Sequence, residues 1–559
     1  MNEYDYIIVG AGAAGCVLAN RLTASGRYRV LLLEAGGADR SPWLRVPIGY
    51  ARTFNDPRYN WMYQAQPDPG LDNRRGFWPR GKVLGGSTAI NAMVFVRGQP
   101  GDFDDWRAAG NPGWSYAEVL PYFRKLEDHC LGASEYHGAG GPVHVSDPSA
   151  SVHPLCGTFI AACESLGVPR TYDFNGAQTE GAGVWQVTIK DGVRASAASA
   201  YLRPALERGN LEVRLRAQAT RVLFTGTRAS GVEYLQGAAR AAGGARGERR
   251  QASARREVLL AAGAINSPQL LELSGIGAAP LLQQLGIPVV HDNPAVGQGL
   301  QDHLAVSYFY RSRVPTLNDE LAPWYGKLKA AWRYALSRSG PLAMSINQAG
   351  AFVRSRPELG RPNLHIYFNP ASYSSTTEGA SRRIMNPDSY PGFLMSFNTC
   401  RPTSRGSVHI RSADPLSAPA IVPNSLSTSD DVQDVFDGAR VLRAIAAAAP
   451  LAAVIESERQ PGTAVVSDAA VLGDFRQRAG SVFHASGTCA MGADARTAVL
   501  DARLKVRGVS GLRVADASAF PNVTSGNTNA ATIMLGEKAA DLILEDSAAA
   551  GADSAAAVA

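Results

Sequence analysis

YIIVGAGAAG, residues 6–15, decides the fold. Ile7, Ile8 and Val9 form a short apolar run that reads as a strand buried on both faces, and the stretch Ala13 to Ala24 that follows the glycines is helical in pattern. Between them, Gly10 permits a tight turn, Gly12 lets backbone approach a pyrophosphate, and Gly15 lets the helix pack closely on the strand. The helix start, with its unpaired N–H groups, is a natural seat for phosphate. A second apolar run, Val30 to Leu33, ends at Glu34, roughly 20 residues on, where a ribose-binding acid belongs. A glycine triad alone is an ordinary turn; with strand, helix and acid in register it is a dinucleotide fingerprint. NAD and FAD fit it equally.

Two distant pieces continue the pattern. VLLAAGA (258–264) precedes the helical SPQLLELSG (267–275), and LRVADAS (512–518) leads into the strongly helical TNAATIMLGEKAADLILED (528–546). The fold expected is α/β, α+β overall. A Rossmann-like nucleotide domain is assembled from 1–150, 191–300 and 456–545, and 151–190 with 301–455 form a second, substrate-binding domain with an antiparallel sheet and helices. The end of the chain, 546–559, is low in complexity and reads as a disordered tail.

Bulk properties exclude several classes. A length of 559 residues, with 45% hydrophobic and 19% charged side chains, suits a large soluble enzyme and not a fibrous or disordered chain. The net charge of +6 is mild at this length and gives no reason to expect nucleic acid. Its densest part, GGARGERRQASARR, carries Arg249, Arg250, Arg255 and Arg256 and reads as a solvated loop or hairpin tip. The six cysteines form no CxxC pair and no Cys/His zinc spacing, so no metal site is expected and a reducing, cytoplasmic setting is the simplest. MNEYDYIIVG lacks a basic leader, and no run of about 18 apolar residues exists to span a bilayer. YGKLKAAWRYALSRSG, with Lys327, Lys329, Arg333 and Arg338 beside Trp332, Tyr334 and Leu336, reads as a solvated amphipathic helix covering the second lobe. Peripheral contact with a membrane is the alternative.

Four further motifs carry a resemblance: PRGKVLGGSTAINAMVFVRG (79–98), GAINSPQLLELSGIG (263–277), HASGTCAMG (484–492) and GNTNAATIMLGEKAAD (526–541). Over nearly its whole length the chain resembles the glucose-methanol-choline oxidoreductases, in the bacterial alcohol and choline dehydrogenase branch. The resemblance implies FAD. Gly85, Gly86 and Ser87 make a donor-rich turn suited to a phosphate or ribityl chain, with Asn91 and Ala92 on the flavin side. Arg80, Val83, Ala13, Ala14, Ala35, Ala517 and Thr528 complete the implied cofactor contacts, together with Asp516 near the ribityl and phosphate groups. Ala219 stands where the family often has a valine touching adenine through its backbone. Some members bind flavin covalently through a histidine before the asparagine matching Asn91; Ile90 stands there, so the FAD is expected to be non-covalent.

His484 and Asn527 match the family's catalytic pair. An alcohol yields hydride only as its hydroxyl proton leaves, and imidazole, with an unperturbed pKa of about 6.5, suits that proton. Asn527 can hold the substrate oxygen as negative charge grows there, and can also cap the helix near Thr528, whose positive end would face the flavin. His303 and His365 have no motif around them and read as structural.

The expected reaction is oxidation of a small or medium primary alcohol to an aldehyde, with hydride passing to flavin N5 and His484 taking the proton. The acceptor is a quinone in a dehydrogenase or O2 in an oxidase. Nothing locates the aromatic cage or carboxylate that choline would need. The same fold hosts hydroxynitrile lyases, in which FAD is not redox active, so a lyase and a redox-silent flavin scaffold are the rival classes.

Overall fold

The computed structural model describes residues 2–241, 244–373 and 386–556. The fingerprint strand Asn2–Val9 is central to a sheet whose order is Leu211–Leu215, Val30–Glu34, Asn2–Val9, Gly244–Leu260, Arg228–Ala241 and Ala217–Thr225, with Leu512–Val514 also on Gly244–Leu260. Pairing is parallel from Leu211–Leu215 to Gly244–Leu260 and onto Leu512–Val514. The remaining two strands are antiparallel. VLLLE (30–34) is buried at every position because helices and loops cover both faces of a parallel sheet. Helix Ala13–Thr23 and the long helix Asn529–Ala556 pack on each other over the fingerprint strand.

The second lobe is an antiparallel sheet ordered Ile455–Gln460, Leu304–Ser312, Gly392–Thr399, Leu364–Asn369, Ala349–Val353 and Gly181–Val184, with Gly480–Ser481 beside Leu304–Ser312. Its separate core includes Phe159, Phe368, Phe393 and Phe397. Two boundaries move. Residues 456–481, expected in the nucleotide domain, hold strands of this sheet: IESERQ (455–460) is a polar edge strand with no apolar run to mark it, and Gly480–Ser481 pairs with Leu304–Ser312. The tail expected to be disordered from 546 is still helix, which runs to Ala556. Asp546 there pairs with Arg503, Lys505 and Arg513 at 2.6–2.7 Å, and Ser547 is buried against Tyr6. Its alanines are low in complexity, but they are also the strongest helix formers.

The basic run 244–256 lies along the hairpin arm Gly244–Leu260, where Arg249 pairs with Glu233 of the neighbouring strand and Arg250 with Glu248. Solvent reaches the Arg249, Arg250 and Arg255 side chains, but the run is strand and not the loop or hairpin tip that composition suggests, since residues 252–254 pair with the fingerprint strand.

Candidate active site

One cleft of about 330 Å³ runs between the lobes, within the roughly 300–1,000 Å³ of small-molecule sites, and its lining extends from the glycine turns to His484 and Asn527. At its nucleotide end, Gly10 has φ +101°, and a Cβ there would sit 2.5 Å from Ala261 O. Gly12 precedes helix Ala13–Thr23 with no side-chain cap, so the first helical N–H groups face the cleft unpaired. Glu34 accepts from Ala11 N (2.9 Å) and Gly36 N (2.7 Å). Burial pushes its carboxyl up to about 7, only partly offset by those two donors.

The turn at Gly86 (φ +53°) lies against this loop: a Cβ would be 2.7 Å from Gly12 Cα. Asp516 ties the distant pieces together, accepting from Gly263 N (2.8 Å) and Ser267 Oγ (2.6 Å) with one oxygen and from Ser518 N (2.8 Å) with the other. Of the cofactor contacts expected from sequence, Gly10, Gly12, Ala13, Ala14, Glu34 and Ala35 line the cleft. So do Arg80, Gly86, Ser87, Asn91, Ala92, Ala219, Asp516, Ala517 and Thr528. Gly15, Val83 and Gly85 do not, and each has a framework role. A Cβ on Gly15 would meet Gly10 O at 1.9 Å, Val83 bridges Gly37, and Gly85 N donates to Ala11 O.

His484 and Asn527, 43 residues apart, meet at the other end, where Asn527 Nδ2 donates to His484 Nε2 over 3.0 Å. Behind them is a residue the sequence gave no reason to single out. His303 Nδ1 lies 2.8 Å from His484 Nδ1, and His303 Nε2 lies 3.0 Å from the Cys400 carbonyl. A carbonyl only accepts, so His303 carries its proton on Nε2 and offers Nδ1 as acceptor. His484 therefore carries its proton on Nδ1, and its one Nε2 lone pair, on the cleft side, accepts the Asn527 Nδ2–H bond. The structural role expected for His303 is thus corrected: it orients and sets the tautomer of His484. Burial holds both imidazoles below their ordinary range, His303 to about 4 and His484 well down, so the pair is neutral.

Asn527 Oδ1 is buried without a partner, so it does not cap the following helix. Backbone 481–484 is clamped from below. Asp302 accepts from His484 N (2.6 Å) and Ser481 Oγ, with its carboxyl pushed up by burial to about 6. Arg80 donates to Phe483 O over 2.7 Å, and Phe483 itself has φ +73°, a strained conformation for a non-glycine residue beside the site. His365 stacks on Phe352 (4.3 Å) and lies tilted at 40° to Tyr367 (4.1 Å), with both ring nitrogens buried and without a hydrogen-bond partner among the described residues.

The second lobe and its flanks close the pocket with Tyr50, Met93, Ile346, Tyr367, Asn369 and Tyr373, with Asn347 and Ser396 nearby. None of these carried a sequence signal, because each is a common residue on an ordinary strand or loop. Arg194, also unforeseen, donates to Asn91 Oδ1 over 2.6 Å and fixes that side chain.

The pattern of the GMC oxidoreductases matches residues 4–305 with its N-terminal part and 402–536 with its C-terminal part. The chain belongs to the GMC oxidoreductase family. This GMC oxidoreductase is 44% identical over 551 residues to the mitochondrial choline dehydrogenase of Mus musculus, covering 97% of this chain and 89% of that one. It is 41% identical over 545 residues to an alcohol dehydrogenase (acceptor) of Pseudomonas putida, covering 97% and 96%. Pyridoxine 4-oxidase from Mesorbium loti matches its fold with a TM-score of 0.84 at 31% identity, covering 96% and 98% of the two chains. Formate oxidase matches at 0.88 and 25%, covering 98% of each.

A GMC oxidoreductase binds FAD, and the cleft fits that group on its own geometry. The glycine turns leave backbone exposed where a Cβ would collide, the first turn of helix Ala13–Thr23 is uncapped, and Arg80 Nε and Nη2 are buried donors with no protein partner. Ile90, also on the cleft wall, offers no nucleophile for a covalent link.

Proposed function

We propose that this GMC oxidoreductase converts a primary alcohol to an aldehyde, with His484 Nε2 as the proton acceptor, and that its electrons leave to a quinone. FAD-dependent oxidation of an alcohol is the activity of the chain; the finer reading rests on its own side chains. The observation that carries it is the fixed tautomer: the His484 Nε2 lone pair lies on the cleft side, where it accepts from the Asn527 carboxamide, and a substrate hydroxyl taking over that bond frees the amide N–H for the substrate oxygen. When bound, FAD supplies the acceptor for the carbon-bound hydrogen and its two electrons.

His484 takes the hydroxyl proton, and Asn527 steadies the substrate oxygen as charge grows on it. Burial excludes water from this corner and strengthens both interactions. The pocket beyond is lined by phenols, amides and apolar groups such as Tyr50, Asn369 and Ile346, and among the described residues no carboxylate lines this end. The rings of Tyr50, Tyr367 and Tyr373 at this end can face an alkyl chain or a quaternary ammonium alike.

A screen of alcohols under anaerobic conditions, followed by admission of air, tests the reading. Primary alcohols should bleach the flavin, and reoxidation by air should be slow against that by a soluble quinone. His484→Ala should slow bleaching by about 10² to 10⁴. Bleaching by the variant at the parent rate would remove the proton-acceptor role, and cyanide release from a cyanohydrin without bleaching would make the chain a lyase.

A further inference from the structure

The helix Trp324–Ser337 packs with its narrow side inward. Gly326, Ala330 and Tyr334, spaced four apart, are its buried residues. Gly326 sits so close to the preceding helix Leu317–Leu321 that a Cβ would lie 2.0 Å from Glu320 O, and Tyr334 OH donates to Gly192 O over 3.0 Å. The opposite side carries the large apolar groups. Trp324 is 77% exposed, Leu328 62%, Trp332 67% and Leu336 71%, again at a spacing of four, with Tyr325 at 64% beside them. At about 100° per residue this stripe is centred opposite the buried one. The amphipathic helix expected from sequence is therefore present, but its apolar face points away from the protein.

Charge is arranged around the stripe. Lys329 and Arg333 flank it on one side, Lys327 and Arg338 on the other, all exposed, and the helix contains no acidic residue. Tryptophans on an apolar face with cations on both flanks are the composition of a helix lying in a lipid headgroup layer. Two copies of this chain meeting through the same face would bring eight like charges together, which disfavours a symmetric pair. No described helix is long and apolar enough to cross a membrane, so the contact is with a surface. The helix leads through Pro341–Ala343 to Ile346 and Asn347 on the pocket wall, which places the pocket's flank next to the lipid.

We infer that the face formed by Trp324, Leu328, Trp332 and Leu336 docks this protein on an anionic lipid bilayer. The inference deepens the quinone reading above, since a quinone resides in the bilayer, but its test does not depend on alcohol chemistry. The holoenzyme is floated with vesicles of phosphatidylcholine containing phosphatidylglycerol, and with phosphatidylcholine alone. Binding should be strong to the first, weak to the second and reduced by salt. Lys327→Gln and Lys329→Gln should each weaken it roughly fivefold. The triple variant Trp324→Ser/Leu328→Ser/Trp332→Ser should abolish flotation while flavin content and anaerobic bleaching stay at the parent level. No flotation of the parent with anionic vesicles, or full flotation of the triple variant, would overturn the inference. So would a parent dimer in sedimentation that the triple variant makes monomeric and that does not float: the face would then join two copies. Loss of bleaching in the parent would instead count against the catalytic reading and leave the flotation result intact.

Discussion

His303 and His484 face each other through their Nδ1 atoms at 2.8 Å, with ring planes 87° apart. Two like nitrogens can bond only if one is bare, and the Cys400 carbonyl decides which. Replacing His303 by Phe keeps a ring in the space but removes the acceptor for the Nδ1 proton of His484. The tautomer with a bare Nε2 is then no longer enforced. Flavin reduction by alcohol should slow by about 10 to 100-fold, the range seen when a group that orients a functional histidine is lost. Bound FAD should be unchanged, and His303→Asn, which restores an acceptor, should recover part of the rate. Equal rates for the Phe variant and the parent would show that the second histidine only fills space.

Asn527 gives its amide N–H to His484 and leaves Oδ1 unpartnered. Asn527→Ala removes the donor nearest the substrate oxygen and should lower the rate of flavin reduction by about 10². Asn527→Asp should do more harm, because a carboxylate there opposes negative charge on the substrate and favours a protonated His484. Stopped-flow reduction of the two variants checks the order; a faster Asp variant would contradict the assigned role.

How far the sequence reaches can be seen in these two residues. His484 and Asn527 lie in long motifs and were legible, as were the fingerprint strand and the glycine turns. His303 was not, because its role comes from pairing: Leu304–Ser312 runs antiparallel to Gly480–Ser481, and that register sets residue 303 behind residue 484. The polar strand at 455–460 and the alanine-rich end of the last helix misled for the opposite reason, since local composition there is overridden by sheet pairing and by ion pairs to Asp546. Gly15, Val83 and Gly85 belong to the right motifs but serve the framework, a distinction that needs coordinates.

Glu34 ties cofactor affinity to pH. In the ligand-free protein burial raises its carboxyl to about 7, whereas ribose hydroxyls donating to it would favour the ionised form. Binding FAD therefore releases a proton below that value. The dissociation constant should rise by up to about tenfold for each unit that pH falls below about 7 and level off above it. Fluorescence titration of apoprotein with FAD measures this. Glu34→Gln should bind more weakly at pH 8 and lose the slope; a variant keeping the parent's slope would place the titrating group elsewhere.

Gly15 is a test of close packing without chemistry. A Cβ there would lie 1.9 Å from Gly10 O, and the clash is with backbone, which cannot rotate away. Gly15→Ala should push helix Ala13–Thr23 off the fingerprint strand and lower the melting temperature and flavin content together. Gly26, at the end of the same helix with nothing within 4 Å of its Cβ position, has φ +70°, so Gly26→Ala should cost only the local strain of that conformation. Equal melting temperatures for the two variants would mean that the fingerprint loop yields more readily than its packing implies.

A buried charge network fastens the segment 95–98 to the rest of the molecule. Arg97 bonds Glu127 through Nε at 2.9 Å, and His137 reaches Glu127 (3.0 Å) and Asp173 (2.8 Å) through its two ring nitrogens. His129, His137 and Asp173 bring three potential ligand atoms within 4.8 Å of one another, but Arg97 and Glu127 already bond into the same cluster and supply its charge balance. Burial alone would lower the His137 pKa, yet its bonds to Asp173 and Glu127 outweigh burial and raise it. Burial would raise the Glu127 carboxyl, and His137 with Arg97 instead bring it down. A raised histidine contributes stability below its unfolded value of 6.5 and loses it as pH rises through the folded value. A lowered carboxylate contributes above its unfolded value of 4.5 and loses it as pH falls. The network is therefore worth most between about pH 4.5 and 6.5, and melting temperature should fall from pH 6 to 8 by more in the parent than in His137→Gln. Glu127→Gln strands the Arg97 charge and should destabilise by about 3–5 kcal/mol; a loss within about 0.5 kcal/mol, typical of exposed positions, would show that the guanidinium finds other partners.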